Sequence, residues 1–189
     1  MRPGACPGRR GCVIIGFSRA VQAFAQGAAP CFGKPPRARE RKKKMKLTFQ
    51  WFGFSSPQMH AALDIRTKVF VDEQGYTLED DRDEQDKTAL HVLGYDAAGV
   101  PVCTARMFEE RPGVWHIGRV ATCAPQRGKG YAGAMMREMC REAAARGGRL
   151  ASLGAQVERE SFYAALGFSP VGEVFLDCGQ PHIEMQKAL

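Results

Sequence analysis

Hydrophobic and polar positions along residues 45–189 alternate between the period of two that is typical of strands and the period of 3.6 that is typical of helices. The pattern predicts strands at residues 46–54, 89–95, 100–108, 114–122, 150–155, 171–176 and 182–186. It predicts helices over residues 57–71, from residue 132 to the glycine pair at 147–148, and over residues 161–166. Strands and helices joined by short connections predict a mixed α/β fold.

Two turn-forming stretches, at residues 96–99 and 110–113, separate the three strands between residues 89 and 122. We therefore predict that these strands form an antiparallel meander. The segment at residues 72–87 is rich in Asp and Glu and is predicted to be a loop.

The positive charge of the chain is concentrated at its start. Residues 1–44 carry eleven Lys and Arg against one Glu, whereas residues 45–189 carry 16 basic and 19 acidic residues. We predict a Gly/Pro/Ala/Arg-rich basic extension at residues 1–44, either disordered or upstream of a true start at Met45, with an organelle transit peptide as an alternative. Residues 45–189 are predicted to be the folded domain, and its net charge of −3 gives no support to a nucleic-acid partner.

The seven cysteines are unevenly spaced and include no Cys-x-x-Cys pair, so no metal site is predicted. An odd number of cysteines in a chain of this size is typical of reduced thiols, and we expect a cytoplasmic protein. No apolar run approaches the roughly 20 residues of a membrane-spanning helix, so no membrane partner is expected.

The turn at residues 126–132, Gln-Arg-Gly-Lys-Gly-Tyr-Ala, lies between a predicted strand and the start of a predicted helix. Free backbone N–H groups and the helix dipole favour an anion at such a position. Gly128 and Gly130 let the backbone approach that anion closely, and Arg127 and Lys129 add positive charge. The turn therefore predicts a site for a diphosphate.

Two other kinds of diphosphate site fit this turn less well. The glycines at 128, 130 and 133 match the dinucleotide fingerprint, but residues 123–127 separate the strand from the first glycine and no acidic residue closes the next strand. A nucleotide P-loop needs Ser or Thr after its lysine, whereas Gly130 follows Lys129.

Three motifs together resemble the GNAT acetyltransferase superfamily: Ile117-Gly-Arg-Val-Ala-Thr122, Arg127-x-x-Gly130-x-Ala132 and Phe162-Tyr163-x-x-x-Gly167-Phe168. Further motifs resemble, more narrowly, the ElaA/YjcF-like branch of this superfamily: Val69-Phe-Val-Asp-Glu-Gln74, Ala155-Gln-Val, Phe175-Leu-Asp, Gly179-x-Pro-His182 and Met185. The resemblance covers residues 45–189. It implies the GNAT-like acyl-CoA N-acyltransferase fold, with a central, largely antiparallel sheet of six or seven strands flanked by helices.

The resemblance also implies acetyl-CoA as the cofactor. Backbone amides of residues 127–132 would hold its diphosphate, and the strand at 120–122 would pair with the pantetheine arm and polarise the thioester carbonyl. The cofactor-binding residues that follow from the resemblance are Val120, Ala121, Thr122, Arg127, Gly128, Lys129, Gly130, Tyr131 and Ala132.

Tyr163 matches the family's general acid, which protonates the departing CoA thiolate. A tyrosine pKa near ~10 and a thiol pKa near ~8.5 make that proton transfer nearly balanced. The general base stays open among Glu73, His116, His182 and a relay through water.

Four residues are predicted to bind the acceptor substrate: Glu73, Gln74, Asp177 and His182. Asp177 and His182 belong to the branch motifs and form either a pair that shapes the acceptor pocket or a purely structural one. The acidic residues 79–86 either attract a cationic amine or form a solvated surface loop.

The predicted function is an N-acetyltransferase that transfers an acetyl group from acetyl-CoA to a primary amine by direct attack in a ternary complex. The acceptor, a small-molecule or peptidyl amine, is not identified by the sequence. The alternative is a non-catalytic acyl-CoA sensor or regulator. The oligomeric state is open, a homodimer being one option.

Overall fold

The computed structural model of the chain describes Cys12–Val13 and residues 47–189. The predicted basic extension at residues 1–44 therefore lies, apart from Cys12–Val13, outside the described residues. The strands are β1 Cys12–Val13, β2 Thr48–Phe52, β3 Leu90–Tyr95, β4 Pro101–Arg111, β5 Val114–Thr122, β6 Leu150–Gln156, β7 Ser169–Asp177 and β8 Gln180–Ala188. The helices are α1 Gln58–Arg66, α2 Leu78–Asp81, α3 Tyr131–Ala145 and α4 Glu160–Ala164.

The strands form one sheet whose order is β2-β3-β4-β5-β6-β8-β7, with β1 attached to β6. β5 and β6 run parallel, as do β1 and β6, and the other neighbouring pairs of the described strands are antiparallel. The predicted mixed α/β fold and its largely antiparallel sheet are therefore confirmed. The meander of β3, β4 and β5 is confirmed as well.

The helices pack against the sheet through two separate apolar clusters. The larger cluster includes Met135, Met136 and Met139 of α3, all of them inaccessible to solvent, and residues of β4, β5 and β6. The smaller cluster joins α1 to Phe52 and Leu93 of the sheet. The apolar spacing of α3 thus matches the face that it buries.

The acidic segment at residues 72–87 differs from the predicted loop. A π-helical turn, Thr67–Asp72, extends α1, and α2 and a 3₁₀ turn, Glu84–Lys87, follow it. Thr77 caps α2 because its hydroxyl accepts from the backbone N–H of Asp80, whose carboxylate accepts from the N–H of Thr77 in return. A single helical turn is too short to show a hydrophobic period, so the sequence pattern did not reveal it.

Three arginines and three aspartates form a buried ionic cluster between this segment and the sheet. The arginine–aspartate cluster consists of Arg66, Arg106, Arg119, Asp81, Asp83 and Asp86. Arg66 lies 3.0 Å from Asp81 and 2.8 Å from Asp86, measured between nitrogen and carboxylate oxygen. Arg106 lies 2.5 Å from both Asp83 and Asp86. The expectation of a solvated acidic surface loop is therefore wrong for these three aspartates.

The arginines of the cluster favour the ionised forms of Asp83 and Asp86. Burial raises the pKa of Asp86, but hydrogen bonds and charges from Arg66 and Arg106 outweigh burial and lower this pKa to about 2. Burial likewise opposes ionisation of Asp83, and Arg106 and Arg119 reverse the effect, so the pKa of Asp83 is lowered. The six charges of the cluster therefore compensate one another in a shared network, in which each arginine contacts two aspartates.

None of the helices in the described part of the chain is long and apolar enough to cross a bilayer. Within the same residues, no group of three or more His, Cys, Asp or Glu side chains is arranged to hold a metal ion.

Replacing Asp86 by Asn should destabilise the protein by about 3–5 kcal/mol at pH 7, because two buried arginines lose a compensating charge. The free energy of unfolding in urea measures this loss. The exposed Asp64 of α1 provides the control, since Asp64→Asn should change stability by less than about 0.5 kcal/mol.

We also predict that the contribution of Asp86 to the free energy of unfolding depends on pH. The pKa of Asp86 in the folded protein, about 2, lies below its value of ~3.9 in the unfolded chain. The stabilising contribution is therefore present above about pH 4 and is lost as the pH falls toward 2. Wild-type protein should lose more stability between pH 7 and pH 3 than Asp86→Asn, and equal losses would contradict this account of the cluster.

Candidate functional site

The two parallel strands at the centre of the sheet diverge. β5 and β6 pair from Val114 and Leu150 to His116 and Ser152. β5 then runs on to Thr122 and β6 to Gln156, and β1 pairs with Gly154 and Ala155 on β6. We call the opening between residues 117–122 and 153–156 the cleft. Its β6 edge accepts an extended backbone, as the pairing with β1 shows.

β5 bulges where it forms one wall of the cleft. Thr104 of β4 pairs with Ala121 and Arg106 pairs with Gly118, so Arg119 and Val120 together face a single β4 residue. The φ angle of Arg119 is 51°, in the left-handed region that costs a non-glycine residue about 1–3 kcal/mol. A bulge leaves backbone groups outside the strand ladder. The cleft therefore has such groups on its β5 side.

The turn at residues 126–132 enters α3 beside the end of β5. Gly128 and Gly130 have φ angles of 75° and 82°, which glycine adopts without strain. Gly130 is the N-cap of α3, and among the described residues no side chain caps that helix or places a carboxylate in its first turn. The first N–H groups of α3 are therefore available to an anion, as the sequence predicts.

Glu73 lies against this turn. Its carboxylate is 2.5 Å from the guanidinium of Arg127, whose Nε donates to the carbonyl oxygen of Thr122 at 3.0 Å. The structure thus brings together a residue predicted for the acceptor side and one predicted for the cofactor. Next to Glu73, the amide of Gln74 has buried N and O atoms without a hydrogen-bond partner among the described residues.

Tyr163 is inaccessible to solvent in the larger apolar cluster. The rings of Phe162 and Phe168 approach it edge-on, with centroids 5.0 Å and 6.2 Å away. The 3₁₀ turn Val157–Arg159 connects the end of β6 to α4, the helix that carries Tyr163. Its ring orientation is fixed by these two phenylalanines.

His116 lies where the cleft begins and lines a small cavity. The other lining residues are Glu110, Gly154, Phe175 and Glu184. The cavity volume is about 10 Å³, which is room for roughly one water-sized group. His116 is only 4% exposed, and its ring stacks on Phe108 at a centroid distance of 5.3 Å. Two carboxylates and an imidazole therefore line a cavity that adjoins the cleft at Gly154.

Asp177 and His182 occupy different positions on the β7–β8 hairpin. Asp177 faces Gln180 at the tip, whereas His182 faces Phe175 further along the strands. The imidazole of His182 donates from Nδ1 to the carbonyl oxygen of Gln180 at 2.8 Å. At the tip, burial together with Asp177 and Asp80 raises the pKa of the Cys178 thiol to about 11. The hairpin tip therefore adjoins α2.

Four relevant residues were not among the site residues predicted from the sequence: Arg119, Glu110, Phe175 and Glu184. The available signals were an arginine within the buried strand at 114–122 and the position of Arg119 and Phe175 within the family motifs. A positive φ angle and a shared cavity depend on strand pairing, which a single sequence does not display.

Comparison with known proteins agrees with this geometry. The family model described as "Acetyltransferase (GNAT) domain" matches residues 62–189. YjcF of Bacillus subtilis, described as an uncharacterized N-acetyltransferase, is 31% identical over 131 residues, which cover 69% of this chain and 92% of YjcF.

Solved structures give the same result. ElaA of Escherichia coli superposes with a TM-score of 0.66 and 30% identity, covering 75% of this chain and 99% of ElaA. An acyl-CoA N-acyltransferase from Pseudomonas aeruginosa has a TM-score of 0.64 and 28% identity, covering 76% of this chain and all of that chain (100%).

The fold and the family match define an acyl-CoA-dependent N-acyltransferase. The chain belongs to the GNAT acetyltransferase family, in the branch that contains ElaA and YjcF. The resemblance found in the sequence motifs is thereby confirmed.

Gly128→Ala should weaken coenzyme A binding about tenfold, because a left-handed φ costs alanine about 1–2 kcal/mol and distorts the turn. Gly99→Ala is a matched control in the β3–β4 turn, since its φ of 76° and open surroundings equal those of Gly128. Isothermal titration calorimetry gives both dissociation constants. Equal affinities in the two variants would argue against a cofactor role for the turn.

Proposed function

We propose that the protein transfers an acetyl group from acetyl-CoA to the primary amine of a small-molecule or peptidyl acceptor, by direct attack in a ternary complex. The observation that supports this most strongly is the combination of a bulged strand and an anion-binding turn at the two ends of one segment. Residues 119 and 120 bulge into the cleft wall, and the 3₁₀ turn Ala124–Gln126 connects the end of β5 to the glycine turn at the start of α3.

In this proposal the backbone amides of residues 127–132 hold the diphosphate of the cofactor at the start of α3. Arg127 and Lys129 contribute charge, and Tyr131 and Ala132 form the first helical positions. Glu73 orients Arg127 through their ion pair.

The pantetheine arm would lie in the cleft and pair with the backbone of Val120, Ala121 and Thr122. Its two amide groups suit the edge of β6 that β1 occupies, so the arm and β1 compete for Gly154 and Ala155. A backbone N–H of the bulge would then stabilise the negative charge that develops on the thioester oxygen.

The transfer itself forms one bond and breaks one. The amine nitrogen attacks the thioester carbon, the new C–N bond forms, and the C–S bond breaks to release the CoA thiolate. Tyr163 donates its hydroxyl proton to the thiolate. An acceptor that arrives as the ammonium first loses one proton to solvent, and the attacking nitrogen then gives up a second proton to a base. We favour His116 as that base, because it lines the cavity at the cleft, whereas Glu73 already pairs with Arg127.

The acceptor side of the cleft is acidic. Glu110 and Glu184 line the cavity with His116, and the cavity has the size of an ammonium group. Two carboxylates attract a protonated amine and repel an acceptor that carries its own carboxylate. The unsatisfied amide of Gln74, together with Asp177 and His182, would provide further contacts to the acceptor.

Thiol release from acetyl-CoA over a panel of primary amines tests the proposed function. Tyr163→Phe should lower kcat by about 10²-fold, at the lower end of general acid catalysis, because the thiolate must leave unprotonated. The dissociation constant for CoA should stay within about twofold. No thiol release with any amine, despite tight CoA binding, would instead favour a non-catalytic acyl-CoA sensor.

The acidic cavity predicts a preference among acceptors of equal length. The kcat/KM for 1,4-diaminobutane should exceed that for 4-aminobutyrate at least ~10-fold, since the carboxylate of the latter meets Glu110 and Glu184.

Glu184→Gln should reduce this preference several-fold, and Asp64→Asn, which removes an exposed carboxylate from α1, should leave it unchanged. A preference that is the same in wild type and Glu184→Gln would place the acceptor elsewhere.

A further inference from the structure

Arg119 connects the bulge of β5 to the arginine–aspartate cluster. Its backbone adopts the strained φ angle of 51° in the wall of the cleft, and the residue is 5% exposed. Strained backbone persists where surrounding contacts over-determine it. The contacts of the Arg119 side chain therefore indicate what holds the bulge in place.

These contacts all lead to the segment that carries α2. Nε of Arg119 donates to the carbonyl oxygen of Asp81 at 2.9 Å, and Nη2 donates to the carbonyl oxygen of Asp80 at 2.8 Å. Nη2 also lies 3.1 Å from the carboxylate of Asp83. The guanidinium is thus fixed in a plane by two backbone acceptors and one charge, a geometry that suits arginine and not lysine.

The acceptors are themselves fixed from the other side. Arg66 of α1 binds the carboxylates of Asp81 and Asp86, and Arg106 of β4 binds those of Asp83 and Asp86. These bonds hold α2 between α1 and the sheet, and Arg106 keeps Asp83 and Asp86 in place independently of Arg66.

We propose that Arg119 is a positioning residue for acetyl transfer, because the arginine–aspartate cluster holds the β5 bulge in the conformation that presents its backbone N–H to the thioester carbonyl. This inference rests on the proposed function of the cleft. It assigns an indirect role in catalysis to residues 77–88, through their contacts with Arg119.

Two substitutions distinguish the contribution of the Arg119 side-chain contacts from that of its backbone conformation. Arg119→Gly adopts the positive φ angle without strain but loses every contact with α2. Arg119→Lys retains the charge but has one nitrogen in place of the planar guanidinium. Both variants should lower kcat about 10²-fold while the KM for acetyl-CoA stays within about twofold, because the lost interaction forms fully in the transition state.

The C=O stretching frequency of the bound thioester measures directly whether the bulge N–H is positioned to polarise the carbonyl. Isotope-edited infrared difference spectra of carbonyl-labelled acetyl-CoA should show a lowered C=O frequency in wild type, because a hydrogen bond polarises the carbonyl. In Arg119→Gly and Arg119→Lys the frequency should return toward its value for free acetyl-CoA. This measurement needs no acceptor, so it tests the positioning role even when no amine is turned over.

Arg66→Lys provides the matched control within the cluster. Arg66 binds Asp81 and Asp86 but belongs to α1, so its replacement should lower stability while the carbonyl frequency shifts far less. If Arg119→Gly fails to fold, the double variant that combines Arg119→Gly with Asp83→Asn is measured instead. This double variant removes one positive and one negative charge, so the cluster stays neutral. Near-ultraviolet circular dichroism verifies that each variant is folded.

A folded Arg119→Gly variant with wild-type kcat and a wild-type carbonyl frequency would overturn the inference. Equal frequency shifts in Arg66→Lys and Arg119→Gly would also overturn it, since the effect would then be one of general stability. Absence of thiol release by the wild-type protein would instead count against the proposed function.

Discussion

Six buried charges that must remain paired determine how the domain is assembled. A buried ion left alone costs several kcal/mol, so Arg66, Arg106 and Arg119 each require the aspartates of residues 81–86 in place. The pairing fixes the acidic segment between α1 and the sheet, and it leaves little freedom for α2 or for the bulge of β5. The same bonds therefore connect the outer helices of the domain to the wall of the cleft.

The cleft also depends on the point at which β5 and β6 cease to pair. Parallel pairing of β5 and β6 stops at His116 and Ser152, and the two strands then separate, so that β6 pairs with the extended backbone of β1 at Gly154 and Ala155. The bulge lies on one edge and the start of α3 follows it. A cofactor with amides in its arm and a diphosphate at one end matches both features, while the carboxylates near His116 suit a cationic acceptor.

Much of the fold and part of the site were predictable from the sequence. The helix at 131–145 and the meander follow from apolar spacing and turn residues, and Gly128 and Gly130 marked the anion turn because only glycine adopts their φ angles freely. The acidic segment was misread, because composition alone does not distinguish a solvated aspartate from one that a distant arginine neutralises.

The sequence by itself determined most of the strands, the helix after the glycine turn and the family, because these depend on local spacing and on short motifs. The tertiary structure alone decided which partners the charges take. It placed Glu73 on Arg127, gathered His116 with Glu110 and Glu184, and joined Arg119 to a segment nearly 40 residues away in the chain. Such contacts arise from strand register and helix packing, and these bring together residues that no local pattern connects.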